Sequence, residues 1–368
     1  MLFTLLVSQS RHNNTVFRNL LRLACFLTFL LLSHASSAQQ EDVYNEHYRL
    51  VFWNVENLFD TWDDTTRLDD SFTPEGDNHW TARRYRKKLQ HLCQTIAALG
   101  EYGNSSLQPP ALIGLAEVEN DKVLRDLCMG TPIRRLGYRF VHFDSPDQRG
   151  IDNALLYIEA RFHPFMTQAI NISDSSKGIF TRDILLVGGT TNDGDTLIVL
   201  VNHFPSKRGG ATADRRRMAT ARKLRYVMDT IYNAHPTAAI VAMGDFNASP
   251  DEPEIKIGLM RNDQPDSARF VNLMAKVQSK RGSYKYQDQW SCIDQIIVSG
   301  NLFDKDSQCP LYTIYDKGQI FDADFLLVDD EKNMGSKVFR TYLGTKYIGG
   351  YSDHLPVFID LEAKGHNR

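Results

Sequence analysis

Short apolar stretches punctuate the chain, and most of them stop on an acid, an amide or a histidine. RLVFWNV (49–55), ALIGLAEVEN (111–120), IDNALLYI (151–158), DILLVGG (183–189), DTLIVLVNHF (195–204), AAIVAM (238–243), CIDQIIVS (292–299) and LPVFIDLE (355–362) read as strands. Two longer stretches carry apolar residues at helical spacing. TARRYRKKLQHLCQTIAALG (81–100) has Thr81 as N-cap and Gly100 as stop, and ADRRRMATARKLRYVMDTIYNA (213–234) is amphipathic with a basic face; that face and RRYRKK (83–88) read as solvated helix surface rather than as a nucleic-acid track. Strands and helices alternate only in part, and several strands follow one another directly. That pattern predicts an α/β chain with mixed sheets. Segments 250–290 and 304–350 are polar and irregular and read as surface excursions. With no internal repeat and no linker, one domain is expected over residues 45–364.

The first 38 residues stand apart. Arg11, Arg18 and Arg22 form a basic lead-in without acids, LACFLTFLLL (23–32) follows, and SHASSA ends in Ala38. This is the order of a secretory signal peptide, and ten residues span only about half of a bilayer core. The expectation is an exported protein, periplasmic or secreted, with no stable membrane insertion once the leader is removed, acting as a monomer. Loss of three arginines leaves 39 basic against 45 acidic residues, a net charge of −6. A protein that coats nucleic acid without specificity is usually basic, so any polyanion must be held locally. Cys93, Cys128, Cys292 and Cys309 remain, in no metal-binding spacing. One or two disulfides are compatible with export, but their pairing is not legible.

Six strand ends carry Asn54, Glu117, Asn202 with His203, Asp245 with Asn247, Asp294, and Asp353 with His354. A single ending of that kind is a turn. Six of them predict loops converging on one polar site. Oxygen donors from Glu117, Asp353, Asp245 and Asn54 suit a hard cation, Mg²⁺, Mn²⁺ or Ca²⁺. Two histidines add proton chemistry near neutral pH. The motifs of serine esterases, P-loop nucleotidases, zinc proteases and dinucleotide-binding enzymes are missing. Metal-assisted attack of water on a phosphodiester needs the inventory that is present.

FWNVEN, LAEVEN, TRDILLV, VNHFPS, MGDFN, CIDQIIV and SDHLPV, in that order over residues 49–362, resemble the endonuclease/exonuclease/phosphatase family, to which pancreatic DNase I belongs. SPDQRGIDNALLY and HFPSKRGG resemble its secreted bacterial nuclease-like branch. The resemblance implies a DNase I-like four-layer sandwich, two packed mixed sheets flanked by helices, and a divalent-metal-dependent hydrolase of phosphate esters. It implies Asn54, Glu117 and Asp353 at the metal. Asp245 and Asn247 would orient the water and the phosphate, and His203 would contact the phosphate or protonate the leaving oxygen. His354 would serve as base or as its electrostatic equivalent, with Asp294 fixing a histidine tautomer. Arg182 and Lys207 would meet substrate phosphate. Nucleic acid is the expected substrate. A sphingomyelinase-like diesterase and a phosphomonoesterase share the motifs, and a binding module without activity would have lost one of them.

Overall fold

In the computed structural model, residues 47–103, 108–173, 180–261, 269–277 and 281–364 are described, so the predicted leader lies outside them. The apolar runs become the inner strands of two mixed sheets. In the first, β1 (His47–Leu58) runs parallel to β2 (Leu112–Val118), with helix α1 (Ala82–Glu101) between them in the chain. Helix α2 (Asp121–Gly130), β3 (Tyr138–His142) and β4 (Asp152–Ile158) follow. In the second sheet β5 (Phe162–Ile170), β6 (Ile184–Thr191) and β7 (Thr196–His203) are antiparallel, and helix α3 (Gly210–Ala234) leads to β8 (Ala239–Asp245), parallel to β7. β9 (Phe270–Asn272), the hairpin β10 (Tyr284–Tyr286) with β11 (Gln289–Ser291), and β12 (Asp294–Ser299) come next. The chain then returns to the first sheet through β13 (Leu311–Thr313) and β14 (Gln319–Ile320). The ribbons β15 (Leu327–Asp329) with β16 (Ser336–Val338) and β17 (Tyr342–Leu343) with β18 (Lys346–Tyr347) precede β19 (Val357–Ala363). The strand orders are β13-β19-β1-β2-β4-β3, with β14 also on β19, and β5-β6-β7-β8-β12-β9.

Period-2 alternation decides where each side chain goes. Leu197, Val199 and Val201 of β7 join the core shared with the first sheet, whereas Ile198 and Leu200 pack with Leu224 and Met228 of α3. α1 supplies Leu92, Ile96 and Leu99 to the larger core. Burying these side chains completely contributes roughly 1.5–3 kcal/mol each. The layered arrangement expected from the motifs is the one found, two mixed sheets with helices.

Several details depart from the sequence reading. Gly100 does not stop α1, which continues to Glu101; a Cβ there would lie 3.1 Å from the Gln108 carbonyl oxygen, so its small size admits a neighbouring strand of chain. The basic face of α3 is not wholly solvated, because Arg217 and Arg225 are buried and bound to Glu254 and Asp229. In RRYRKK, Lys88 is buried and donates to Thr341 Oγ1 at 2.7 Å and to the Tyr351 carbonyl at 2.6 Å. Segment 250–290 buries Ile255, Leu259, Phe270, Leu273 and Met274, so part of it is core rather than excursion. The four cysteines are free, and burial pushes the thiols of Cys128 and Cys292 up to about 12. No described helix is long and apolar enough to cross a membrane.

Candidate active site

The strand register places three chemistry-bearing residues side by side. His203 of β7 and Asp294 of β12 are the cross-strand partners of Asp245 at the end of β8. Gly244 has to be glycine in this corner, since a Cβ would meet the Asn202 carbonyl oxygen at 2.3 Å. In the first sheet the ends of β1 and β2 bulge: register shifts fall between Asn54 and Leu58 and between Ala116 and Val118. Glu56, Asn57 and Glu117 take φ of 52°, 54° and 65°. Bulges and left-handed non-glycine residues re-aim side chains, and here they turn Glu117 out of the strand alternation.

Both sets of strand ends open onto one cavity of about 930 Å³. Glu117, Asp353, Asp245, Asn247, His203 and His354 line it, together with Arg182 and Lys207. Asn54 and Asp294 are buried behind that wall. Asn54 Nδ2 donates to Asp245 Oδ2 at 3.1 Å, and its Oδ1 accepts from the Glu56 amide at 3.0 Å. Asp294 accepts from His354 Nδ1 with both oxygens, at 2.9 and 3.1 Å. Asn153, the other polar residue of IDNALL, points elsewhere and donates to the Asp183 carbonyl at 2.8 Å. Arg182 is nearly buried, 3.0 Å from Asp147 Oδ2 and 2.9 Å from the Phe204 carbonyl, while Lys207 lies 2.5 Å from Glu252.

Asp245 sits between two imidazoles whose preferences are opposed. Its Oδ2 is 3.6 Å from His203 Nε2 and 3.8 Å from His354 Nε2, and its Oδ1 accepts from the Asn247 amide at 2.8 Å. Burial, then the positive charges of Arg182 and Arg149, hold His203 neutral well below the ordinary histidine value. Burial acts against a charge on His354 too, but the carboxylates of Asp294 and Asp245 outweigh it and keep that ring protonated well above the ordinary value. Burial pushes the Asp245 carboxyl up to about 7, with the His354 cation pulling it down and Asp294 pushing it further up.

The donor set fits a hard divalent cation. Glu117 Oε2 accepts from the Asn57 amide at 2.9 Å and Asp353 Oδ2 from Arg340 at 3.0 Å. The second oxygen of each has no hydrogen-bond partner among the described residues, so each carboxylate keeps a ligand atom for the cavity.

Four participants escaped the sequence reading. Arg149, in a loop, donates to Asn57 Oδ1 at 2.7 Å and lies 3.9 Å from Glu117. Arg340 joins Asp353 to Glu56, 3.4 Å from the latter. Glu56, inside the FWNVEN motif, is buried and accepts from the amides of Thr341 and Tyr342 at 2.6 and 3.2 Å. Burial pushes its carboxyl up to about 7, with Asp353 adding to the rise. Tyr284 packs its ring 4.8 Å from that of His354. Only Glu56 had a legible signal, a lone acid in an apolar strand.

Residues 49–363 match the sequence profile described as the Endonuclease/Exonuclease/phosphatase family. Among curated proteins, none matches the chain in sequence. Solved structures share its fold. An endonuclease/exonuclease/phosphatase family protein from Bacteroides thetaiotaomicron is 16% identical with a TM-score of 0.56, over 87% of this chain and 99% of its own. TDP2 of D. rerio, complexed with a single-strand DNA product, is 17% identical with a TM-score of 0.51, over 86% and 98%. A mannosyl-6-phosphatase from Bacteroides thetaiotaomicron VPI-5482 is 14% identical with a TM-score of 0.53, over 85% and 99%. The chain belongs to the endonuclease/exonuclease/phosphatase family and is thereby a divalent-metal-dependent phosphoric ester hydrolase.

Proposed function

We propose that the protein is an exported, Mg²⁺-dependent phosphodiesterase that hydrolyses DNA or RNA, working in the periplasm or outside the cell. The observation that carries the nucleic-acid reading is the wall opposite the carboxylates. Tyr286, largely exposed, and Tyr284 face the cavity from the hairpin β10–β11, and Lys207, Arg208 and Arg340 share the same cavity. Aromatic faces flanked by cations suit stacked bases on a phosphate backbone. A lipid-directed diesterase would favour an apolar tip instead, and this hairpin carries Lys285, Gln287, Asp288 and Gln289.

Glu117 and Asp353 would hold the cation, with Mn²⁺ or Ca²⁺ as substitutes; when bound it offsets the charge of the phosphate and of the leaving oxygen. Asp245, with its raised carboxyl and fixed by Asn54 and Asn247, takes the proton of the attacking water. The water oxygen bonds to phosphorus as the phosphorus–oxygen bond to the leaving group breaks. His354, held cationic by Asp294, gives the Nε2 proton to the leaving oxygen and regains one from Asp245, 3.8 Å away. Neutral His203 and Asn247 steady the phosphate oxygens. Residues 39–368 with Mg²⁺ should cut plasmid, single-stranded DNA or RNA, and lose that activity with EDTA or in His354→Ala. Release of phosphate from sugar phosphates with every diester left intact would replace this reading with a monoesterase.

A further inference from the structure

Beside the catalytic cavity, the connection from β1 to α1 and the loop from β3 to β4 enclose a second hollow of about 160 Å³. Asp64, Asp69, Glu119, Asp144 and Asp152 line it, with one guanidinium, that of Arg67. Among the described residues none of the five carboxylates is paired with a lysine or arginine. Arg67 donates instead to the Asp147 carbonyl at 2.7 Å, and Asp152 accepts from the Ser145 amide at 3.0 Å with Oδ1 and lies 3.7 Å from the ring of His142 with Oδ2. Asp69 carries the argument. It is 2% exposed, its Oδ2 accepts from the Asp64 amide at 3.1 Å, and its buried Oδ1 has no hydrogen-bond partner among the described residues. Burial raises the Asp69 carboxyl above its ordinary value, and a buried carboxylate oxygen without a partner is strongly disfavoured unless a proton or a cation completes it. Nearby, one ligand atom each from His142, Asp144 and Asp152 lie within 4.8 Å of one another.

We propose that this hollow is a second divalent-cation site, of the Ca²⁺ class, with Asp144 and Asp152 as its close-set carboxylate ligands and Asp69, Asp64 and Glu119 lining the same hollow around them. Oxygen donors from several loops at irregular angles suit Ca²⁺, which takes six to eight ligands, better than the near-octahedral Mg²⁺. The ion would fasten segments that already touch: Leu68 donates to the Gln148 carbonyl at 2.8 Å, tying the two loops together, and the Asp60 amide donates to Glu119 Oε2, between β2 and α2, at 2.5 Å. The residue after Gln148 is Arg149, which reaches Asn57 in the catalytic wall. Cation binding here would therefore stabilise the chain and steady that arginine.

The test is thermal unfolding of the chelator-stripped protein with and without Ca²⁺ alone, paired with equilibrium dialysis against radiolabelled Ca²⁺. At 100 times the dissociation constant, Ca²⁺ should raise the melting temperature by about 5 °C. Glu117→Gln should keep that rise, and Asp69→Asn should lose it together with one bound equivalent. Asp144→Asn, at an exposed position, gives the same readout without disturbing the core. No rise in the wild type would overturn the site. So would a rise that Glu117→Gln abolishes while Asp69→Asn and Asp144→Asn retain it, since the ion would then sit only in the catalytic cavity.

Discussion

The parallel pair β1–β2 ends in Asn54 and Glu117, and the parallel pair β7–β8 ends in His203 and Asp245. Each pair is joined through a long helix and flanked by antiparallel strands, β19 and β4 in one sheet, β6 and β12 in the other. The ends differ in kind. Those of the first sheet bulge and present Glu117, whose second carboxylate oxygen has no hydrogen-bond partner among the described residues. Those of the second keep strict register and bury an acid among imidazoles, so that each shifts the others' protonation. In the proposed mechanism one arrangement would thus serve two purposes, a cation seat on one side and proton chemistry on the other. The halves are stitched by Asn54 to Asp245 at 3.1 Å and by His354, which precedes β19, to Asp294 of β12.

If the division is right, the largest losses come from either seat. Glu117→Gln should lower kcat by at least about 10³-fold with KM for DNA little changed, and Asp245→Asn by a similar factor, in steady-state cleavage assays. Asp294→Asn should cost about 10²-fold and also move the pH profile. The charges of Asp294 and Asp245 raise His354, so its proton is present below that raised value and lost as pH climbs through it. Without Asp294 the alkaline limb should shift to lower pH; an unmoved limb would assign the titration to another group. Tyr286→Ala should raise KM for single-stranded DNA about tenfold and leave kcat for a nitrophenyl diester intact, as expected of a stacking contact. Smallest is the hairpin clamp. Lys285 lies 2.8 Å from Asp330, which holds that carboxyl well below the usual carboxylate range. A depressed acid contributes stability that is complete above its unfolded value near 3.8 and fades as pH falls through the lower folded value. Asp330→Asn should therefore melt below wild type at pH 7, with the gap closing in acid, and raise KM about two- to threefold through the loosened hairpin.

That the polar strand ends meet at one cavity was legible, because strand period and polar endings survive in a single sequence. GDFN after AAIVAM and SDH before LPVFIDLE could hardly be placed elsewhere. Arg149, Arg340 and the Tyr284–Tyr286 hairpin were not, because they reach the cavity from loops and short ribbons whose position depends on tertiary contacts alone. Lys88 was misread for a related reason: a lysine on a basic helix face looks solvated until Thr341 and the Tyr351 carbonyl arrive from far along the chain. The repeated topology was hidden as well, since the two parallel pairs share direction and order but no sequence pattern.

Whether the two sheets build a single catalytic unit can be read from one double-mutant cycle. Steady-state kcat on single-stranded DNA with Mg²⁺ would be compared for wild type, Glu117→Gln, Asp245→Asn and the double variant. A shared centre predicts that the double variant is no slower than the slower single one. A double variant slowed by the product of the two single effects would mean that the sheets act independently, and would contradict this account.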